Sequence, residues 1–308
     1  MNYISLGFSL LTSAIIIGGS LVNTLEDKLP AFILKNFKYG KFGFKGKQSR
    51  LASKIVIDVP KSWFKHYYLF AIYIYAYGFY VATCTYIFDY EAPKWLIDCL
   101  NLVCGQHRVA TTSAAKTYIA FTLLTLQVFR RVYDTHFVSV FAKQGRMSLT
   151  LYLIGLYHYP ACALAILCEA PKFTSQSLSP VMDTFTTASI SKVDIFVIIL
   201  FMWAWWHQHV ATKILANLRK DEKGTVVSDA HKIPHGDWFK YLTAPHQTAE
   251  IIMYAALTIL LWTNLTWFFV FTWVLSNQIE TILLSHWWYL EKFDDFPKNR
   301  KALIPFLY

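Results

Sequence analysis

Charged residues are scarce in this 308-residue sequence, at 16% against about 25% in ordinary soluble domains. Hydrophobic residues make up 55% and aromatic residues 18%. There is also no internal repeat, no low-complexity tract and no composition break that would mark a linker between folded units. This composition indicates an all-α, polytopic membrane protein, and we interpret residues 1–308 as a single domain.

Motifs of common cofactor and metal sites are absent. No GxGxxG follows a strand, so a Rossmann dinucleotide fold is not expected, and no Walker, HExxH or GxSxG motif occurs. The five cysteines form no CxxC pair, and their odd number argues against a disulfide framework. His207 and His209 are two residues apart, so on a helix they would point to different faces and we predict no metal site. The glycines Gly40, Gly43 and Gly46 are interpreted as flexible backbone rather than as a phosphate cradle.

Seven apolar stretches come near the roughly 17–25 residues that a helix needs to cross a bilayer. The sixth and seventh are separated only by Thr263 and Asn264, which predicts a tight helical hairpin. The first lacks the basic start and small-residue exit of a signal peptide, so we interpret it as a membrane helix. The stretches are residues 3–22, 66–88, 114–129, 147–168, 193–211, 248–262 and 264–285.

Basic residues are distributed unevenly among the connecting segments. Segments 23–65, 130–146 and 212–247 and the tail from residue 292 carry 24 of the 29 lysines and arginines. Seven crossings with the N-terminus outside would place these 24 on one side, which the positive-inside rule assigns to the cytosol. Topology and anionic lipid headgroups then explain the net charge of +10, and no nucleic-acid partner is expected. The other five basic residues fall in the two alternate loops and are Lys94, Arg108, Lys116, Lys172 and Lys192.

Several polar residues near the predicted cytosolic face are candidates for ligand binding. Arg130 and Arg131 close the third stretch, and Arg219 follows the fifth, where an arginine can fork onto a phosphate. Glu250 lies just inside the sixth stretch, and an acid at that depth is a functional candidate. The alternatives are interfacial anchoring for the arginines and stabilisation of a helix N-terminus by Glu250. His246 could hydrogen-bond a ligand amide or cap the helix.

The C-terminal segment 286–308 combines basic, aromatic and proline residues. A disordered tail would have few aromatic residues, and a spanning helix would not tolerate the charges. His286 and Tyr289 are three residues apart and share one helix face, near the inner membrane boundary. We interpret the basic segment 23–65 as a cytosolic loop and residues 286–308 as a cytosolic cap.

Several stretches of the chain resemble the steroid 5α-reductase family, and within it the branch that acts on polyprenyl lipids. The resemblance covers most of the chain and is weakest over 1–58 and 89–115. The matching stretches are VPKSWFKHYY (59–68), FRRVY (129–133), VSVF (138–141), NLRK (217–220), IPHGDWFKYL (233–242), AEIIMY (249–254), NLTWFFV (264–270) and HWWYLEKFDDFPKNRKALIPFLY (286–308).

The resemblance implies a seven-helix membrane domain that binds NADPH on the cytosolic side without a Rossmann fold. Arg219 and Arg300 match ligands of the cofactor's phosphates, and Tyr289 and Glu250 match residues that line the cofactor site. The tail is then expected to act as a lid over the cofactor, with Lys298, Arg300 and Lys301 supplying positive charge for its phosphates.

Four further positions follow from the resemblance. Arg131 and Arg146 match an arginine-rich cytosolic loop that also faces the cofactor. His231 stands where steroid-branch relatives carry a tyrosine, and His246 stands where relatives carry an asparagine, so both are expected in the cofactor site.

The proton donor does not carry over from the steroid branch, which polarises its ketone with a glutamate–tyrosine pair. Val128 stands at the position of that tyrosine, and the second loop offers Gln106 and His107 instead. We therefore predict Gln106 or His107 as the catalytic donor.

The implied activity is NADPH-dependent saturation of the α-isoprene double bond of a polyprenyl lipid, as polyprenal to dolichal, for dolichol synthesis and protein N-glycosylation. Localisation in the endoplasmic reticulum membrane is likewise implied, with the lipid substrate and the bilayer as partners and no obligate protein partner evident. The alternatives are reduction of 3-oxo-Δ4 steroids or of enoyl-CoA, an isoprenyl-cysteine-type methyltransferase, and a lipid or ion transporter. The transporter is disfavoured because the charged residues lie at helix ends rather than at mid-membrane.

Overall fold

The computed structural model of the chain describes residues 1–30, 33–34, 37–38, 56–142, 144–174, 176–177, 184–186, 189–228 and 230–304. Residues 39–55 of the basic segment 23–65, with the three glycines Gly40, Gly43 and Gly46, lie outside this set. Eight α-helices are described in full: α1 (Tyr3–Thr24), α2 (Phe64–Tyr86), α3 (Lys94–Cys104), α4 (Ala114–Tyr133), α5 (Leu149–Cys168), α6 (Lys192–Asn217), α7 (Pro245–Leu260) and α8 (Leu265–Lys292).

Polar side chains fix where several of these helices begin. Ser113, Ser148 and Asn264 cap α4, α5 and α8, each accepting a hydrogen bond from a backbone N–H of the first turn. Ser191 caps α6 and forms a capping box with Asp194. These side chains satisfy N–H groups that have no partner inside the helix, which lets an apolar segment start at a defined residue.

All seven apolar stretches fold as helices, and α7 and α8 form the hairpin that the sequence predicts, joined by residues 261–264. The helices run past the predicted ends: α6 continues to Asn217 and α8 to Lys292. The sequence did not predict α3. With 11 residues it is too short to span a bilayer, and it buries only the stripe formed by Leu96, Leu100 and Cys104.

Among the residues that the structure describes, five helical segments are long and apolar enough to cross a membrane: α1, α2 with the turn before it, α5, α6 and α8. The coarse prediction of a helical, multi-pass membrane protein is therefore confirmed. Helix α7 has 16 residues, fewer than the about 20 that span a bilayer unaided. Seven crossings stay a prediction.

The core lies between pairs of long helices, with α6 against α7, α2 against α4 and α1 against α8. Large side chains such as Phe121, Phe201 and Trp267 are fully buried there. Gly78 on α2 permits the close approach of α4, because a Cβ at this position would lie 2.4 Å from Cζ of Phe121.

Two short two-stranded sheets tie loops to the bundle. Strand β1 (Asp58–Pro60) pairs antiparallel with β3 (Arg146–Ser148), with Val59 opposite Met147. Strand β2 (Val109–Ala110) pairs parallel with β4 (Gln176–Ser177). The first sheet brings the segment before α2 next to the loop that precedes α5.

The two ends of the bundle differ in which helices begin and end there. At the amino end, where α1, α4, α6 and α8 begin and α5 ends, Asn2 donates to Oγ1 of Thr266 at 2.8 Å. At the opposite end, where α4, α6 and α8 end and α7 begins, Gln208 donates to the carbonyl of His246 at 3.0 Å. We call this second end the arginine end, because it holds Arg131, Arg219 and Arg300.

Candidate functional site

A hydrogen-bonded network joins α4, α6 and α7 at the arginine end. Arg130 Nη2 donates to Oε1 of Gln127 at 2.7 Å and also to Oε1 of Gln208. Gln208 Nε2 in turn donates to Oε2 of Glu250, and Gln127 Nε2 lies 2.8 Å from Oε1 of Gln208. The network therefore presents one carboxylate and two carboxamides from three helices at one place.

Asp134 is a buried carboxylate that binds the arginine of this network. Its side chain is 0% exposed and lies 3.7 Å from both Arg130 Nε and Arg131 Nη1. Its other oxygen lies 2.6 Å from Nδ1 of His209 on α6. One buried carboxylate thus holds two arginines of α4 and a histidine of α6 in fixed positions.

Arg131 packs against the aromatic side chains of two further helices. Its Nε donates to the hydroxyl of Tyr68 at 3.1 Å, and its guanidinium lies 4.9 Å from the centre of the Tyr68 ring. The Tyr68 ring is 5.3 Å from that of Tyr159 on α5. These contacts fix Arg131 beside the Glu250 network and connect the network to α2 and α5.

Arg300 is a buried cation in the C-terminal segment. It is 3% exposed, and its Nε and Nη1 atoms have no hydrogen-bond partner among the described residues. The guanidinium lies 5.1 Å from the Phe296 ring, which stacks on Tyr289 at 5.4 Å. Burial lowers the pKa of Arg300, while the nearby Tyr289 acts in the opposite direction. Leaving charged donors buried and unpaired is unfavourable, so a bound anion at this point would stabilise the protein.

Backbone hydrogen bonds hold the tail in this position. The N–H of Lys301 donates to the carbonyl of Tyr241 at 2.8 Å, and the N–H of Thr243 donates to the carbonyl of Lys301 at 2.9 Å. Thr243 Oγ1 also lies 2.7 Å from Nδ1 of His286 near the end of α8. Residues 300–302 are therefore fixed against the segment that leads into α7.

The other predicted phosphate ligands lie around the loop between α4 and α5. Arg219 Nη1 donates to the carbonyl of Val140 at 2.6 Å, and Tyr289 is close enough to both Arg219 and Arg300 for electrostatic interaction. Arg146 is exposed and stands opposite Pro60 in the first sheet. Arg219 and Arg300, from separate parts of the sequence, thus both lie near Tyr289 at the arginine end.

The histidines predicted from the resemblance lie at the same end. His231 is exposed, and its ring is 5.1 Å from that of Trp288. His246 is in the first turn of α7, one helical turn before Glu250. His207 and His209 have different partners, Asp237 and Asp134 respectively.

Gln106 and His107 lie at the amino end, in contrast to the residues above. Both are exposed and follow Gly105, which ends α3 beside Met1. Their neighbour Arg108 donates to the carbonyl of Cys168 at the end of α5. The 28 residues of α8 run from one end to the other and rise about 40 Å. The structure does not bring Gln106 or His107 together with the arginine end, and the donor role assigned to them stays a prediction.

Sequence reasoning missed several polar residues of this region. Gln208 and Asp134 make the central contacts of the network, and His158 on α5 pairs with Tyr254 on α7 at 2.9 Å. The available signal was their position: Gln208, His158 and Tyr254 are polar groups inside apolar stretches, where such groups need partners.

Comparisons with known proteins place the chain in a family. Residues 173–308, which include α6, α7, α8 and the tail, match the family model described as 3-oxo-5-alpha-steroid 4-dehydrogenase. The chain is 36% identical over 312 residues to the polyprenal reductase of Drosophila melanogaster, covering 100% of this chain and 94% of the relative. It is 32% identical to the polyprenal reductase of Danio rerio, with 93% and 90% covered, and 31% identical to that of Homo sapiens, with 88% and 84% covered.

The bundle of long apolar helices defines a multi-pass membrane protein, and its arginine end gathers arginines, two carboxamides and a carboxylate. The chain belongs to the steroid 5α-reductase family. The family resemblance predicted from its sequence stretches is confirmed, as is the reductase class that the resemblance implied.

Proposed function

We propose that this protein reduces the α-isoprene double bond of polyprenal to give dolichal, using NADPH. The observation that carries the proposal is its similarity to polyprenal reductases over essentially the whole chain. The activity supplies dolichol synthesis and protein N-glycosylation at the endoplasmic reticulum membrane.

The residues of the arginine end fit the phosphates of NADPH. Arg300 has two buried donor atoms with no partner among the described residues, and a phosphate would accept hydrogen bonds from both. Arg219 and Arg146 add positive charge from two other segments. An arginine fork suits a phosphate better than a point charge does, because it donates two parallel hydrogen bonds.

The Glu250 network fits the carboxamide end of the same cofactor. A carboxamide needs both an acceptor and a donor, and Glu250, Gln208 and Gln127 offer both within one cluster. His231, His246, Arg131 and Tyr289 complete the set of cofactor residues. When bound, NADPH supplies the hydride.

The substrate's electronic structure sets what the protein must do. Hydride adds to a C=C bond only when a conjugated carbonyl can take the resulting charge, so the aldehyde is the acceptor and its oxygen needs a donor. Stabilising such an oxyanion is usually the largest catalytic contribution. The lipid tail lies in the bilayer between helices, and the aldehyde approaches the site from the membrane.

The activity is tested with purified protein, NADPH and polyprenal, with dolichal detected by mass spectrometry. A 3-oxo-Δ4 steroid and an enoyl-CoA serve as competing substrates. Reduction of either of these in place of polyprenal would contradict the proposed substrate while leaving the reductase class intact.

The chain crosses the membrane seven times, with its N-terminus in the lumen and residues 286–308 as a cytosolic cap of the one domain. The support is the 24 of 29 basic residues in segments on one side. In sealed microsomes, a tag after Tyr308 should be digested by added protease. A matched tag before Met1 should be protected. The reverse pattern would overturn this topology.

Arg300→Ala should weaken NADPH binding by about 1.5–3 kcal/mol, the scale of a hydrogen bond to a charged group. The affinity, measured by fluorescence titration, would fall on the order of 10- to 100-fold. Arg219→Ala should act similarly.

Lys292→Ala is the matched control for Arg300→Ala, because Lys292 is an exposed cation of the same segment. It should leave the affinity nearly unchanged. If folded Arg300→Ala protein keeps wild-type affinity, Arg300 has no role in holding the cofactor.

A further inference from the structure

Three polar side chains from three helices meet deeper in the bundle than the Glu250 network. His158 Nε2 on α5 lies 2.9 Å from the hydroxyl of Tyr254 on α7. Tyr254 is 2% exposed, and its ring stacks on that of Trp267 on α8 at 5.7 Å with an interplanar angle of 6°. The stacking fixes the ring of Tyr254, so its hydroxyl has a defined position.

The third side chain is Tyr75 on α2. It is 0% exposed, and its hydroxyl has no hydrogen-bond partner among the described residues. It lies close enough to Tyr254 and Cys162 for electrostatic interaction. A buried hydroxyl without a partner is unfavourable, and a ligand oxygen between Tyr75 and Tyr254 would satisfy it.

The position of Tyr254 relates this cluster to the cofactor residues. Tyr254 follows Glu250 by four residues on α7, so the two side chains lie on one face of the helix, one turn apart. Tyr159, next to His158 on α5, contacts Tyr68 in the arginine-end network. The cluster of Tyr254, Tyr75 and His158 therefore adjoins the Glu250 network, on the side toward the bilayer interior.

The hydrogen-bond inventory determines what this arrangement can donate. A tyrosine hydroxyl has one proton, and it can accept as well as donate. If His158 donates its Nε2 proton to the Tyr254 oxygen, the Tyr254 proton is available to a ligand oxygen, which is a stronger acceptor than the neighbouring Cys162 sulfur. Tyr75 holds a second proton that has no acceptor among the described residues. Both hydroxyls are buried among apolar neighbours, where donors act most strongly.

We infer that Tyr254 is the catalytic acid at the aldehyde oxygen of polyprenal, with Tyr75 as a second oxyanion donor and His158 as the positioning residue for Tyr254. This inference rests on the proposed function. Hydride adds to the β-carbon, the C=C electrons form a new Cα–carbonyl carbon double bond, and the carbonyl π pair moves to oxygen, which takes the Tyr254 proton. The enol then returns that proton to Tyr254 as Cα takes one from water, so dolichal gains one hydride and one proton.

Tyr254→Phe removes the donor while keeping the stacked ring. Its kcat with polyprenal should fall about 10²- to 10³-fold, the cost of losing one oxyanion donor, while the KM for NADPH stays unchanged. Tyr86→Phe is the matched control, because Tyr86 is a buried tyrosine that donates to the carbonyl of Pro171 at 2.9 Å, far from the cluster. It should leave kcat unchanged.

Binding of a carboxylate analogue gives a readout that does not depend on turnover. Geranylgeranoic acid places an anionic oxygen where the aldehyde oxygen would lie. Tyr254→Phe and Tyr75→Phe should each weaken its binding about tenfold or more, while Tyr86→Phe binds it normally.

The role of His158 is tested by rescue. His158→Leu should lower kcat, and His158→Gln should restore much of it, because the glutamine amide can donate from nearly the position of Nε2. Equal loss in the two variants would show that His158 only fills space.

The inference is overturned if folded Tyr254→Phe protein keeps both wild-type kcat and wild-type affinity for geranylgeranoic acid. Loss of kcat in the Gln106→Ala/His107→Ala variant with Tyr254→Phe unaffected would transfer the donor role to the second loop. Failure of the wild-type protein to reduce polyprenal would instead overturn the proposed function, and the binding measurement would still decide whether Tyr254 and Tyr75 hold an anionic oxygen.

Discussion

With NADPH present, polyprenal should be converted to dolichal while polyprenol is left essentially untouched. Hydride arriving at the β-carbon of polyprenal gives an enolate whose charge rests on oxygen. Hydride arriving at the same carbon of polyprenol gives an unstabilised carbanion. Enzymes lower barriers by about 8–23 kcal/mol, but a donor can stabilise only charge that reaches it. The expected ratio of rates is therefore very large.

Each lipid is incubated separately with purified protein, with no other dehydrogenase present, and α-saturation is followed by mass spectrometry. Adding an alcohol dehydrogenase with its oxidised cofactor to the polyprenol reaction should restore saturation, because it generates the aldehyde. Rapid conversion of pure polyprenol without that addition would defeat the enolate mechanism.

Asp134→Ala should destabilise the folded protein by about 3–5 kcal/mol, the cost of removing one partner from a buried charge group. Asp134 is fully buried beside Arg130, Arg131 and His209. Without it, Arg130 and Arg131 keep their positive charges and lose the buried carboxylate that is paired with them. Unfolding in detergent, followed by denaturant titration, measures the loss.

Asp237→Asn is the matched control for Asp134→Ala, because Asp237 has a positive φ of 43° that asparagine tolerates and alanine does not. Asp237 also pairs with a histidine of α6, His207 at 2.9 Å, but both side chains are 20% exposed. Water can replace a partner at that position, so the expected cost is within about 1 kcal/mol. Equal destabilisation by the two variants would mean that burial of Asp134 does not set its contribution.

Most of the helices could be predicted because the thickness of a bilayer requires apolar stretches of about 20 residues, and such stretches are visible in the sequence. The seven apolar stretches all became helices for this reason. Helix α3 could not be found in the same way, since its 11 residues are short and its apolar residues form only a stripe. The extension of α8 to Lys292 was also missed, because a helix that leaves the apolar region no longer has a hydrophobic signal.

The candidate site was only partly predictable. Arg219, Arg300, Tyr289 and Glu250 follow from local motifs, and the structure gathers them at one end. Gln208 has no such motif, because its partners Gln127 and Glu250 are distant in sequence and become neighbours only when α4, α6 and α7 pack together.

The donor prediction in the second loop rests on comparing single positions with the related family and takes no account of where the loop lies. Gln106 and His107 were chosen because Val128 cannot act as a donor. In the proposed seven-crossing topology, the segment between α2 and α4 lies on the side opposite the basic loops. The buried pair His158 and Tyr254 carried a signal of a different kind, two polar groups within apolar stretches that can satisfy each other only across helices.

The tail segment that is hydrogen-bonded to Tyr241 and Thr243 lies after the last described helix, and this position matters for truncated forms of the protein. Arg300 and the backbone groups that bind Tyr241 and Thr243 follow all of the described helices in the sequence, so none of these helices contains a residue of the clamp formed by the tail. A nonsense mutation in the codons for residues 293–299 would therefore leave a protein that inserts with its helices complete and yet lacks this cation and its clamp. Such an allele would be null for catalysis while its product persists in the membrane, where an antibody to the helical part would still detect it.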